Sequence, residues 1–232
     1  MKLDTTYNLQ ADTEPLDADK YSKTLQEYHR ILWSKPLPNG KMFKLKKDKP
    51  TCLLYHKSEL GDFVLSSDRA VATFSTWKRL EHIISKVPRD KLKSFINLTD
   101  TIGGVTNWPS NRIKNKQTIN GARGCNGLIA DRLDLTLECI RRYYLKEESP
   151  LYETFKRYED FFRLFEDFKG YGDFFLFQDW VSDDYTSVNI APPFDNFKST
   201  PVPTTVDEYM QYMGYTVELV KARNRRVVKL GI

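Results

Sequence analysis

Cysteine and histidine are scarce in this 232-residue chain: Cys52, Cys125 and Cys139, with His29, His56 and His82. An odd cysteine count at wide spacing, with no C-x-x-C, excludes a disulfide framework and points to a reducing compartment. Neither residue type recurs at zinc-ligand spacing, so no metal centre is expected. No apolar run approaches the roughly 20 residues of a membrane span. The opening "MKLDTTYNLQADTEPLD" is too polar for a signal peptide. These absences predict a soluble, cytoplasmic protein with no membrane contact. The chain also lacks a Walker A loop, a dinucleotide-binding glycine fingerprint, a G-x-S-x-G elbow, an H-E-x-x-H helix and an EF-hand loop. Gly103–Gly104 reads only as a flexible strand end. The cofactor, if there is one, is therefore unidentified.

A large excess of one charge is missing too. Thirty-six basic residues face 31 acidic ones, for a net charge of +5. That is a mild bias rather than the balance of a dedicated nucleic-acid binder. Two local basic runs, "KMFKLKKDK" (41–49) and "KARNRRVVK" (221–229), suit either an anionic partner or a solvated face. Apolar residues are plentiful. Hydrophobic residues are 40% and aromatics 13% of the chain, enough to build a core and to argue against disorder. The length suits a single globular domain over residues 1–232.

Tyr21, Leu25, Tyr28 and Leu32 share one helix face, which Pro36 and Pro38 end. "TCLLYH" (51–56) and "DFVLSS" (62–67) read as a hairpin or meander. Helices are predicted over 76–87 and 89–98, then a strand near 102–106. A long loop follows, with a second short strand around 117–119. Loops of that length are often functional, which draws attention to residues 107–127. Residues 128–146 form a helix, and Ser149–Pro150 caps the next, with the stripe Leu151, Phe155, Tyr158, Phe162, Phe165. "DFFLFQDWV" (173–181) is read as helix and "YTSVNIA" (185–191) as strand. A final helix opens with a capping box from Thr205 to Glu208. The fold class is α+β, with short antiparallel strands mainly in the N-terminal half packed on a helical C-terminal half.

Four stretches could carry chemistry. In "NGARGCNG" (120–127), Arg123 sits in a glycine-rich turn ahead of a helix N-terminus. Unpaired N–H groups and a guanidinium there would hold an anion, with Asn120 assisting. On the following helix Asp134, Glu138 and Arg142 fall at four-residue steps, acids first and bases last, as the helix dipole favours. Asp131, Asp134 and Glu138 would orient arginines as supporting groups, or an Arg123–Asp131 or Arg132–Asp134 pair would be purely structural. Arg223, Arg225 and Arg226 follow the last helix. If they pack near Arg123, then Arg141, Arg142, Arg223 and Arg226 could clamp a nucleotide or nucleic-acid phosphate. His56, Ser58 and Glu59 crowd a strand end, making His56, Glu59 and also Glu138 acid–base candidates without fixing any geometry. Asp179, Asp183 and Asp184 suit either Mg²⁺ or a plain acidic turn.

The stretches "INGARGCNGLIADRLDLTLECIRRYY", "SPLYETFKRYEDFFRLFEDFKGYGDFFLFQDWVSDDY" and "ARNRRV", with "LWSKPLPNG" and "HKSELGDFVLSSD", resemble an uncharacterised bacterial family of about 230 residues. The likeness spans nearly the whole chain. Trp108, Cys125 and Leu133 depart from its pattern without touching a catalytic group. The resemblance implies no activity and carries over no site residues. "LYH" also bears a weak likeness to the nicotinamide-binding strand of ADP-ribosyltransferases, without the glycine that follows the histidine there. The leading expectation is a protein binding an anionic ligand through arginines. The alternatives are an enzyme on a nucleotide-type substrate and a protein–protein interaction module.

Overall fold

The computed structural model describes residues 3–9, 17–43, 45 and 54–230. Its sheet has three antiparallel strands in the order β1 (Tyr55–Ser58), β2 (Gly61–Arg69) and β3 (Val105–Pro109). Ser58 faces Gly61 across the β1–β2 turn. Gly61 has a φ of +134°, a conformation that side chains avoid, and Phe63 lies 2.5 Å from where its Cβ would stand. Strand β3 is buried along its whole length. Both of its faces are therefore covered, unlike a strand with one solvated side.

Ten α-helices surround this sheet among the described residues. In chain order they are α1 (Ala18–Tyr21), α2 (Lys23–Leu32), α3 (Glu81–Ile84), α4 (Arg89–Thr99), α5 (Ile119–Cys125), α6 (Leu133–Tyr144), α7 (Tyr152–Arg157), α8 (Glu159–Arg163), α9 (Phe168–Phe175) and α10 (Val206–Leu230). Ser22 caps α2 by accepting from the Leu25 N–H at 3.2 Å. The buried face is Leu25, Tyr28, His29 and Leu32, as the spacing predicts, while Tyr21 lies outside it and is exposed. Helix α10 opens with Thr205 Oγ1 accepting from Glu208 N at 3.2 Å. The Glu208 carboxylate reaches back to Thr204 N at 2.6 Å, one residue further than the expected box. Phenylalanines of α7 to α9 form the aromatic centre, with ring pairs such as Phe155–Phe162 at 4.9 Å and Tyr171–Phe175 at 4.8 Å.

The α+β class holds, and several local expectations do not. Residues 117–119 start helix α5, capped by Thr118 Oγ1 on Gly121 N at 3.2 Å, where a strand was expected. The 128–146 helix begins only at Leu133, because Ala130 and Asp131 take left-handed φ values of 51° and 59°. The helix after Pro150 is two short ones, interrupted at Tyr158, and no side chain caps α7. Lys78–Leu80 is a 3-10 turn preceding α3 rather than one helix over 76–87. Residues 185–191 contribute a single bridge, Val181 to Val188, and no strand. The C-terminal arginines lie within α10, not beyond it. Residues 46–53, with part of "TCLLYH" and of the first basic run, lie outside the described residues. Among those described, no helix is long and apolar enough to cross a membrane.

Candidate functional site

Arg123 lies on α5 and is fully buried. Its Nε donates to Thr136 Oγ1 at 2.8 Å. One terminal nitrogen meets Asp68 Oδ2 at 2.8 Å and Asp131 Oδ1 at 3.1 Å. The other donates to Ala70 O at 2.8 Å and Asp131 O at 2.9 Å. The guanidinium also stacks 4.7 Å from the Trp108 ring centroid. Nε and both terminal nitrogens are thus engaged by the protein through four hydrogen bonds and a further ion-pair contact, so the guanidinium is committed within the fold. The left-handed turn at Asp131 makes this closure, since it aims both carbonyl and carboxylate at Arg123. Burial pushes the Asp68 and Asp131 carboxyls above the ordinary range, against the pull of Arg123.

The other expected arginines are engaged separately. Arg141 and Arg142 share Glu138, at 2.8 and 2.7 Å, and Arg142 also donates to Asn196. Asp134 pairs with Arg132, at 2.6 and 3.1 Å, a buried guanidinium that also donates to the carbonyls of Pro193 and Pro201. Arg223 is fully buried and pairs with no carboxylate among the described residues. It donates to the carbonyls of Phe175 (3.1 Å), Gly103 (3.1 Å) and Val105 (2.6 Å) and to the Tyr28 hydroxyl (3.1 Å). Burial pushes its pKa down. Arg226 is half-buried against Asp179. Among the described residues, Arg123 and Arg223 share no hydrogen-bond partner. Asn120 is half-buried on α5, and its Oδ1 lacks a hydrogen-bond partner.

His56 lies 2.8 Å from Ser58 Oγ and stacks on Phe43 at 3.7 Å between centroids, while Glu59 is exposed in the turn beyond. Among the described residues, no group of three or more His, Cys, Asp or Glu side chains could hold a metal ion. Asp184 instead ties its own turn through Ser182 and Thr186, both at 2.7 Å.

A different constellation forms beside α2. A cavity of about 520 Å³ is walled by Trp33, Met42, Phe43, Leu45 and Leu54, with Asp19 and His29 also lining it and Lys23 and Arg30 exposed on α2 alongside. Behind the wall, Asn107 Nδ2 meets His29 Nδ1 at 3.1 Å, and His29 Nε2 meets Ser67 Oγ at 2.7 Å. Asp19 Oδ2 accepts from Ser67 N at 2.8 Å, and its Oδ1 lies 3.6 Å from His29 Nε2. Both ring nitrogens of His29 are thus engaged, by Asn107 and Ser67, which fixes the imidazole between β2, β3 and Asp19. Burial works to raise the Asp19 pKa, but hydrogen bonds from His29 and Ser67 outweigh it and hold the carboxyl below its usual range. The arrangement maintains an ionised acceptor at the cavity wall.

Sequence reasoning missed this site. Its one local signal is His29, which interrupts the apolar face of α2. Ser67 and Asn107 meet only because they are opposite each other in the β2–β3 register. The family model described as "Family of unknown function (DUF6994)" matches residues 3–227. No curated protein and no solved structure matches the chain.

Proposed function

The chain belongs to that family of unknown function, and from its own geometry we propose that it binds a planar heterocycle of nucleobase type in the cavity beside α2. The observation that carries this reading is Asp19: a carboxylate held ionised below its usual range, with Oδ1 3.6 Å from His29 Nε2, on the wall of a mainly apolar cavity. Trp33 complements it, because its Nε1 donor has no hydrogen-bond partner among the described residues. Orphaned buried polar atoms cost about 1–3 kcal/mol each. A heterocyclic ring offers an N–H to Asp19, a lone pair to Trp33 and flat apolar faces to Phe43 and its neighbours. The volume of about 520 Å³ fits a ligand of that size. Lys23, exposed on the rim beside the Arg30–Glu27 ion pair, would meet a phosphate carried by such a base. This relocates the anionic-ligand reading away from Arg123, which is fully buried and hydrogen-bonded within the fold through Nε and both terminal nitrogens. The buried arginines, on this reading, hold the fold together.

Calorimetric titration of adenosine, guanosine, their monophosphates, inorganic phosphate and cyclohexylamine tests the class. Nucleosides are expected to bind, and inorganic phosphate alone and cyclohexylamine are not. Asp19→Asn and Trp33→Phe should each weaken nucleoside binding by roughly 5- to 100-fold, the equivalent of one lost buried partner. Absence of binding by every nucleoside, or unchanged affinity in both variants, overturns the reading.

A further inference from the structure

Most of the chain's net charge of +5 is concentrated in one stretch. Residues 78–93 carry six bases, Lys78, Arg79, Lys86, Arg89, Lys91 and Lys93, against two acids, Glu81 and Asp90. They lie on the 3-10 turn Lys78–Leu80, on the turn after α3 and on the first half of α4. The apolar residues of the stretch, Leu80, Ile83, Ile84 and Val87, are buried, as is Phe95 just beyond it. Helices α3 and α4 pack on α10, and all six cations are left exposed. Among the described residues none of the six forms an ion pair. Exposed cations elsewhere often do, as Lys20 with Asp17, Lys57 with Asp62 and Lys221 with Glu218. Arg89 and Lys93 share one exposed flank of α4, about 6 Å apart along its axis. A helix by itself favours an acid beside a base at that spacing. Trp77, at the head of the stretch, is half-buried. Its ring packs edge-on against Phe74 at 5.1 Å, and the Arg79 guanidinium lies 4.5 Å from its centroid.

We infer that this surface of α3 and α4 binds single-stranded nucleic acid, its cations meeting the phosphates while Trp77 and Arg79 stack a base. Single-strand sites without sequence preference combine a positive track with aromatic rings, because every base has a face to stack. Each phosphate met by a lysine or arginine releases condensed counterions, and that release drives binding. The same phosphates relieve the repulsion between Arg89 and Lys93. An acidic peptide would use the cations and leave the ring idle. A bilayer would need an exposed apolar anchor. The exposed large apolar side chains among the described residues, Tyr21, Met42 and Leu145, lie outside the stretch. No run in the sequence marks this surface, because buried apolar residues separate its bases. The proposal does not rest on the cavity beside α2, which shares no lining residue with it.

The test titrates a fluorescent oligouridylate of about 20 nucleotides with the full chain, read by anisotropy at several salt concentrations. Binding is expected, with log affinity falling against log salt at a slope of roughly −2 to −4, as for about three to six phosphate contacts on a single strand. Arg89→Glu combined with Lys93→Glu should weaken binding at least about tenfold and reduce the slope by about 1 to 2. Arg112→Glu combined with Lys116→Glu makes the same charge change on another exposed loop, and should weaken binding less than about threefold. Both pairs replace exposed side chains that hold no ion pair, so melting temperatures should match the wild type. Trp77→Leu should weaken binding roughly 5- to 100-fold and leave the slope unchanged, since a stack neutralises no phosphate. Failure of the oligomer to bind, or equal losses in the two charge-reversed proteins, overturns the proposal. So does binding undiminished by Trp77→Leu, or tighter binding of a duplex of equal length. Equal or tighter binding of polyglutamate, or of vesicles containing phosphatidylserine, assigns the surface to another partner and overturns it too. Saturating guanosine should not displace the oligomer. Displacement would place the oligomer in the cavity beside α2 and not on this surface.

Discussion

Arg123 shows how one side chain can be committed. Its guanidinium ties Asp68 of β2, the Ala70 carbonyl just beyond that strand, Thr136 of α6 and both polar groups of Asp131. Removing it leaves two carboxylates without their cation and a void over Trp108. Arg123→Ala should therefore cost about 3–5 kcal/mol of stability, measured by urea unfolding. Arg123→Lys should recover only part of that, because an ammonium has three donors and no fork to spread over five acceptors. A loss below about 1 kcal/mol for the alanine variant would contradict the structural role. This scale also shows what sequence spacing can reach. The Glu138–Arg142 pair was legible because it lies within one helix, four residues apart. Asp68 lies 55 residues from Arg123, and no periodicity connects them. The Asp131 contact was readable as an alternative, but not its dependence on a left-handed turn.

At the scale of elements, α10 is seated on Ile102–Gly104, the 3-10 turn ahead of β3, and two features of the chain make that contact. Asn224 accepts from Gly103 N at 2.7 Å and donates to Thr101 Oγ1 at 2.8 Å, while Arg223 takes the neighbouring carbonyls. The glycines are there because nothing larger fits. A Cβ on Gly103 would lie 2.5 Å from the Val220 carbonyl, and one on Gly104 would lie 2.1 Å from the Thr99 carbonyl. Gly103→Ala must push α10 outward, and should cost about 1–3 kcal/mol, the usual range for overpacking. In a chain of this size that lowers the melting temperature by several degrees, roughly 2–4 °C per kcal/mol. An unchanged melting temperature would mean that α10 can shift freely. Helices with an apolar stripe, such as α2 and α10, were legible from their period. Helix α5 was not, because Gly121 and Gly124 lower its propensity, and it is held by the Thr118 cap, the burial of Ile119 and Ala122, and the Arg123 network. The 185–191 strand failed for the opposite reason: β-propensity needs a neighbouring strand to express itself.

At the scale of the whole molecule, four ion-paired carboxylates, Asp19, Asp68, Asp131 and Glu138, fall into two groups with opposite responses to acid. Asp68 and Asp131 have raised pKa values, chiefly from burial. Their contribution to stability is fully present below the ordinary carboxyl range and is lost as pH rises through the raised folded values. Asp19 and Glu138 have lowered values, because hydrogen bonds outweigh burial: from His29 and Ser67 for Asp19, and from Arg141 and Arg142 for Glu138. Their contribution is present above the unfolded-state values of 3.8 and 4.5 and is lost as pH falls through the lower folded values. Glu138 gives the cleaner test, because Asp19 is also assigned to the ligand cavity. Glu138→Gln removes the charge shared by two arginines on α6 and should cost about 1–3 kcal/mol at neutral pH. That gap should close as pH falls below about 4.5 and through the lowered folded value, where wild-type Glu138 becomes protonated and resembles the variant. Thermal unfolding of both proteins across the acid range reads the gap directly. Equal stability of the two proteins at neutral pH would show that the fold does not depend on ionised Glu138, and that Arg141 and Arg142 are held by other contacts.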